Sequence, residues 1–363
     1  GLFTANGRDW AGQIWLDDLG LGDMLGANPA TPAPTAWLSH SPATAPVGPR
    51  GHNTHKGQLG DVWVLGGQGP VHGQGMVGAA VLAARAALHG GAGRVLLALL
   101  DPEAPSWDPM QPELMLRNAQ DLLSSATPLP GGTWVVGCGG GSSIAAHLPQ
   151  VVEQADRLVL DADALNAVAD STSLQNAVRQ RGMSGHITVI TPHPLEAARL
   201  LRCTTAAVQA DRMDAAWQLA HRFQCVCVLK GSGTVMATPS GLVHINPTGN
   251  DLLSTAGTGD VLAGAVGAAL SRASGRRRLA GTDVHATAAR ESSEARACEW
   301  LDAEALPTVA SAVWSHGLMA NTWPTPSEAH QALIASALAC AISPAASAPL
   351  ATAPPTPMPT SPP

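Results

Sequence analysis

The chain has 363 residues, 45% of them hydrophobic, enough to bury one large core or two ordinary ones. Its formal net charge of -7, with "RRR" at Arg276–Arg278 as the one compact basic run, excludes broad, sequence-independent nucleic-acid binding, which needs a basic face. No apolar run reaches bilayer length and no signal peptide is recognisable, so a cytoplasmic protein without a membrane partner is expected.

In chain order, residues 1–27 open with "GLFTANGRDWAGQIWLDDLGLG", which has strand-like pieces but is too short to own a core. The first residue is Gly rather than Met, as expected of a chain that begins inside a longer protein. Residues 28–49, rich in Pro, Ala, Thr and Ser, read as a linker, and residues 343–363 have the same composition and read as a disordered tail. The folded body is expected over residues 50–342.

Within that body "DVWVLGG", "RVLLALL", "TWVVG", "RLVLDAD", "ITVITPHP" and "CVCVLKG" alternate with helical runs such as "GAAVLAARAALHG". This is the α/β pattern of a mostly parallel central sheet covered by helices on both faces, and continuous apolar strands suit burial on both sides. Six cysteines show no CxxC pair, so reduced thiols are expected. If "CVCVLK" is a strand, Cys225 and Cys227 share one face and Val226 and Val228 take the other. Polar and glycine residues follow the strands at Gly66–Gly67, Gly137–Gly141, Asp161, Asp163, His193 and Lys230–Gly233, which places a site at one edge of the sheet. The charged stretch Arg272–Glu304 reads as a long surface loop with some helix.

Three stretches carry candidate chemistry. In "TGNDLLSTAGTGDVLAG" a helix starting at Thr258 would aim unpaired N–H groups at an anion, with Gly257 and Gly259 allowing close approach. Asp260 would then sit in the first turn, as a base for a hydroxyl attacking a phosphate or merely as a cap. In "LKGSGTVMATPSGLVHI" a strand ends at Lys230, followed by a glycine-rich turn and a two-stranded ribbon, so Lys230 and the amides of the turn could meet nucleotide phosphates; an ordinary hairpin is the alternative. No GxxxxGK[ST] phosphate loop is present. Asp161 and Asp163 in "VLDADALN" bring carboxylates to a strand end, with an N-cap as the alternative role for Asp163. His193 lies between prolines ahead of Glu196, too few ligands for a metal by themselves.

Taken in order, "HKGQLGDVWVLGGQG", "GMVGAAVLAARAALHGGAGRV", "PELM", "DADALN", "TPHPLEAARLL", "LKGSGTV", "NPTGNDLLSTAGTGDVLAG" and "AVWSHG" resemble the ADP-dependent NAD(P)H-hydrate dehydratases of the ribokinase-like superfamily, over roughly Asn53 to His316. The resemblance implies a ribokinase-like three-layer sandwich and an enzyme that phosphorylates the hydroxyl of the S-form of NADH hydrate or NADPH hydrate with ADP, then eliminates phosphate and leaves AMP. It implies that Asp260 contacts the hydrate and is the base. Lys230, Gly231, Ser232, Gly233, Thr234 and Gly259 would hold the AMP portion, and Ala79, Gly139, Gly141 and His193 would line the hydrate pocket. Mg2+ is expected with the nucleotide, its protein ligands unassigned, and a homo-oligomer is expected. Residues 1–27 resemble the end of the NAD(P)H-hydrate epimerase domain that many bacteria fuse ahead of the dehydratase, so epimerase activity is not expected of this chain.

The chain departs from the family at Ala256, where glycine is usual, at "GCGGG" in place of a "GPGLG"-like loop, and at "HPLE" in place of "HPGE". Ala256 is tolerable if its φ is negative, and "GCGGG", lacking the rigid proline, is expected to be more mobile. A ribokinase-like kinase for a vitamin or sugar alcohol is the alternative enzyme, and a binding module with a decayed site a third reading.

Overall fold

The computed structural model describes residues 1–15, 17, 35–39, 52, 53, 55–72, 75–124, 132–280, 298–324 and 332–343, with side chains to 275 in the long helix that ends at 280. The strands are β1 (Trp37–Leu38), β2 (Asp61–Gly66), β3 (Arg94–Leu99), β4 (Met115–Arg117), β5 (Thr133–Val136), β6 (Arg157–Leu160), β7 (Ile187–Ile190), β8 (Val226–Leu229), β9 (Val235–Ala237) and β10 (Val243–Ile245). The helices are α1 (Gly7–Ala11), α2 (Val77–His89), α3 (Ala119–Ser124), α4 (Leu148–Gln154), α5 (Asp163–Asp170), α6 (Thr172–Met183), α7 (Pro194–Leu201), α8 (Thr205–Ala210), α9 (Arg212–Phe223), α10 (Thr258–Ala280), α11 (Leu306–Asn321) and α12 (Ala335–Ala341).

One sheet runs in the order β1-β10-β9-β8-β7-β6-β5-β2-β3-β4. Every neighbouring pair from β4 to β8 is parallel, and the expected ribbon follows as antiparallel β9 and β10. From β2 the chain moves outward through β3 and β4, then returns to the other side of β2 at β5. Such a reversal leaves a crevice above the carboxyl ends of the strands, the usual ligand position in open α/β sheets.

Alternation within each strand builds the layers. Trp63, Leu65, Trp134, Val136, Leu158 and Leu160 face the layer that includes α4, α6 and α9. Trp63 and Trp134 meet edge to face with centroids 4.7 Å apart. Val62, Val64, Val135 and Val159 face α2, α10 and α11. Cys225 and Cys227 fall in the first layer and Val226 and Val228 in the second, as the period-two reading requires. Small residues bring α2 and α10 together: a Cβ on Gly264 would overlap the backbone of Ala83. The outer helix α12 packs its Leu338 with Val261 and Ala265 of α10.

Three expectations change. Residues 1–15 hold α1 and no strand among the described residues, since Gly7–Ala11 closes into one helical turn against the ribbon side of the body. Within residues 28–49, Trp37 and Leu38 pair in parallel with His244 and Ile245, so this part of the linker extends the sheet. Third, Arg272–Glu304 is not a loop at its two ends. Helix α10 continues to Ala280 because Ser271 and Ser274 are buried and Gly275 packs against the backbone of Gln58 and Leu59; at the far end, Leu301–Ala305 forms a π-helical turn with Leu301 and Ala305 buried. Residues 281–297 lie outside the described residues, as does the tail from 344.

Candidate active site

The "GCGGG" loop follows β5 and is hydrogen-bonded to the segment after β2. Gly137, Gly139 and Gly141, the three glycines that "GCGGG" shares with "GPGLG", all have positive φ. The amides of Gly67 and Gln68, after β2, donate to the carbonyls of Cys138 and Gly139 at 3.0 and 2.6 Å. Gln68 Oε1 accepts from the amide and hydroxyl of Ser143, both at 2.9 Å. A Cβ on Gly139 would come within 2.9 Å of the Ala79 Cβ, so these two expected hydrate-pocket residues touch.

Beside this loop, the ends of β6 and β8 and the first turns of α5 and α10 gather three carboxylates and a lysine. Asp161, 1% exposed after β6, accepts from Lys230 Nζ at 2.6 Å and from Thr191 Oγ1 at 2.7 Å. The Cys138 thiol donates to the other oxygen of Asp161 at 3.9 Å. One oxygen each of Asp161 and Asp260 and the Cys138 sulfur lie within 4.8 Å of one another. Burial pushes the Cys138 thiol well up, and the two carboxylates add to it, so the sulfur stays protonated and serves as a donor. Burial also pushes Asp260 up, to about 6; the charges of Asp161 and Asp163 reinforce this, against Cys138 and Lys230. A carboxylate titrating there is placed to work as a base near neutrality.

Asp260 is where the sequence put it, in the first turn of a helix that begins at Thr258. Gly257 at φ +92 makes the entry turn. Ala256 is exposed and is absent from the residues with positive φ, so its methyl group is accommodated. His316, buried on α11, bonds the Thr258 carbonyl through Nε2 at 2.9 Å. Burial lowers its pKa to about 4, the Thr258 bond opposing and the Lys230 charge assisting, so the ring is neutral and donates from Nε2. His316 falls in the stretch "AVWSHG", but no local pattern indicated its bond to Thr258.

A cleft of about 690 Å3 opens over this helix start. Lys230, Gly231, Ser232, Thr234 and Gly259 line it together, and Lys230 Nζ would lie 3.3 Å from a Cβ on Gly259. Gly233 does not line it: this glycine is buried beneath the Phe3 carbonyl. Arg8 also lines the cleft, which nothing in the sequence indicated. A second hollow of about 680 Å3, between the ends of β3 and β4, contains none of the clustered carboxylates Asp161, Asp163 and Asp260.

His193 and Asp163 turn out to be structurally committed. His193 is the N-cap of α7: its Nδ1 accepts from the amides of Leu195 and Glu196, and Glu196 Oε2 accepts from its backbone N–H. Its Nε2 lies 3.1 Å from Glu196 Oε1. Burial raises Glu196, but the His193 bond and the Lys230 charge outweigh it and hold the carboxyl below its usual range. The His193 side chain remains 45% exposed, on the loop whose Pro192 carbonyl accepts from the Lys230 amide at 2.8 Å. Asp163 is not an N-cap, because Ala162 occupies that position at φ +48; Asp163 instead accepts from the Gly141 amide at 2.8 Å and ties the glycine loop to α5. The Cys138, Asp161 and Asp260 cluster is a poor cage for Mg2+, which prefers hard oxygen ligands, since one donor is a protonated thiol and Asp161 is already bonded to Lys230 and Thr191.

A family model described as NAD(P)H-hydrate dehydratase matches residues 62–311. The chain is 40% identical over 228 residues to the ADP-dependent (S)-NAD(P)H-hydrate dehydratase of Neisseria meningitidis, covering 61% of this chain and 73% of that protein. It is 34% identical over 306 residues to the bifunctional NAD(P)H-hydrate repair enzyme Nnr of Coxiella burnetii, covering 81% of this chain but only 58% of that protein. Among solved structures, the ADP/ATP-dependent NAD(P)H-hydrate dehydratase of Bacillus subtilis, co-crystallised with ATP and Mg2+, has a TM-score of 0.60 at 26% identity, over 85% of this chain and 96% of that one. A ribokinase-like superfamily protein of Enterococcus faecalis, at 19% identity and TM-score 0.56 over 81% of this chain and 89% of that one, shares the fold.

Proposed function

The chain belongs to the NAD(P)H-hydrate dehydratase family, and from that premise we propose that it is a hydro-lyase restoring NADH and NADPH from the S-forms of their hydrates at the expense of ADP. Asp260 takes the proton of the hydrate hydroxyl as that oxygen attacks the β-phosphorus of ADP; the bond to the α-phosphate side breaks and AMP leaves. The phosphate ester on the ring then departs as phosphate while the adjacent ring carbon loses a proton, which restores the double bond. Lys230, Gly231, Ser232, Thr234 and Gly259 hold the AMP portion in the cleft, with Gly233 shaping the turn from beneath. Ala79, Gly139 and Gly141 form the hydrate side, and His193 contributes its exposed ring edge while capping α7.

The observation that carries this reading is Asp260, raised to about 6 by burial and by Asp161, in the first turn of a helix whose Gly259 faces the Lys230 turn across the cleft. Mg2+ bound to the nucleotide would supply charge neutralisation on the phosphates, without a protein cage of its own. A cytoplasmic homo-oligomer belongs to the same reading; no helix among the described residues is long and apolar enough to cross a membrane. The chain spans 58% of the bifunctional Coxiella relative, and epimerase activity is not proposed for it. The test is incubation with NADH hydrate, ADP and Mg2+, following NADH, AMP and phosphate together. Equal yields of all three support the reading, whereas a stable phosphoester without NADH, here or in a parallel incubation with ATP and a vitamin or sugar alcohol, would replace it with the kinase.

A further inference from the structure

We propose that Arg8 is a nucleotide-binding residue, and that the segment Phe3–Asp9 forms one wall of the ADP cleft; this rests on the reading of that cleft as the nucleotide site. The segment lies outside residues 62–311, over which the family model matches. It is nonetheless joined to the nucleotide turn at several points. The Ala5 amide donates to the Ser232 carbonyl at 2.9 Å, and the Ser232 hydroxyl donates back to the Ala5 carbonyl at 3.3 Å. Gly233, at φ +65, leaves just the space that the Phe3 carbonyl fills, so a side chain there would dislodge the segment.

From this anchor Arg8 reaches into the cleft. Its Nη2 donates to the carbonyls of Pro247 and Gly249, both at 2.9 Å, which fixes the guanidinium beside the loop leading to the helix start. Arg8 and Lys230 both line the cleft, but their charges are placed differently. Lys230 is paired with Asp161 at 2.6 Å, so much of its charge is already balanced within the protein. Arg8 forms no ion pair among the described residues, and its two bonds go to neutral carbonyls through one nitrogen. The remaining guanidinium N–H groups can be donors to an oxyanion, in the planar geometry suited to phosphate. A nucleoside diphosphate brought beside the buried Asp161 and Asp260 needs such a counter-charge, and Arg8 supplies it.

The test uses the full chain and its Arg8→Gln and Arg8→Lys variants, with ADP and uncharged adenosine as titrants and melting curves to establish folding. Wild-type binding of ADP tests the nucleotide cleft itself; if ADP does not bind, the underlying reading fails before Arg8 is at issue. Given wild-type binding, Arg8→Gln is expected to weaken ADP about tenfold or more, as loss of a charge-assisted phosphate contact should, while adenosine affinity stays within about twofold. Arg8→Lys should recover part of the loss, because it restores the charge but not the fork. Unchanged ADP affinity in Arg8→Gln would overturn the proposal. Equal weakening of ADP and adenosine would also overturn it, reducing Arg8 to a brace for the cleft wall.

Discussion

Lys230 Nζ lies 2.6 Å from Asp161 Oδ1, so the strand-end lysine facing the nucleotide cleft is tied to the buried carboxylate that presses on Asp260. Asp161 raises the pKa of Asp260 and Lys230 lowers it. Replacing Asp161 by Asn removes the negative charge and leaves the lysine less balanced, and both changes act in the same direction. Asp161→Asn is therefore expected to move the acid limb of the kcat/KM profile from near pH 6 to lower pH. A limb that stays in place in a folded variant would show that Asp161 does not set the charge state of the base.

Asp260 should also leave its mark on stability. Its folded-state pKa is raised, so its protonated form is favoured by folding; that contribution is complete below the ordinary carboxylate range and is lost as pH rises through about 6. Above that pH, neutral Asp260→Asn is expected to be the more stable protein by roughly 1 kcal/mol or more, about 2–4 °C in Tm. Below about pH 4, the advantage should vanish. Melting curves of both proteins across pH check the sign.

His316 works in the opposite sense. Its folded-state pKa is depressed to about 4, so the stability it contributes is present above the ordinary histidine range and is lost as pH falls through that interval. His316→Ala removes the bond to Thr258 and opens a buried space; a loss of about 2–3 kcal/mol is expected. Since Thr258 begins the helix that lines the cleft, ADP should bind about tenfold more weakly. Chemical denaturation and ADP titration read the two effects separately.

His193 should separate into a cap and a contact. His193→Ala removes the bonds to the Leu195 and Glu196 amides and is expected to cost about 1 kcal/mol. His193→Asn keeps an N-cap acceptor and should restore most of that stability, so any loss of hydrate affinity that persists in it belongs to the ring.

Local patterns made much of this site legible. The start of α10 at Thr258, the ribbon after Lys230 and the two-face alternation around Cys225–Cys227 each depend on a few neighbouring residues whose period or turn chemistry the sequence displays. The pairings that tune the chemistry join distant positions: Lys230 to Asp161 across 69 residues, His316 to Thr258 across 58, and Arg8 to Gly249 across 241. Only tertiary packing, of strands in the sheet order, of α10 against α11 and of the N-terminal segment against the body, brings such residues together, and no local period encodes it. Composition misled at one place. Pro-rich 28–49 lends Trp37 and Leu38 to the sheet edge, where backbone pairing needs no apolar period. The partners of "GCGGG" and the serines that follow it, namely Gln68, Asp163 and the Gly67 amide, are again distant in sequence.

The most direct test of Asp260 as the base is single-turnover recovery of NADH from its S-hydrate with saturating ADP and Mg2+, comparing the wild-type chain with Asp260→Asn after ADP binding has been measured for both. The expected result is ADP affinity within about threefold of wild type and NADH recovery slowed by ~100-fold or more, as loss of a positioned general base should produce. Near-normal recovery in the folded, ADP-binding variant would contradict the account and remove Asp260 from the proton transfer.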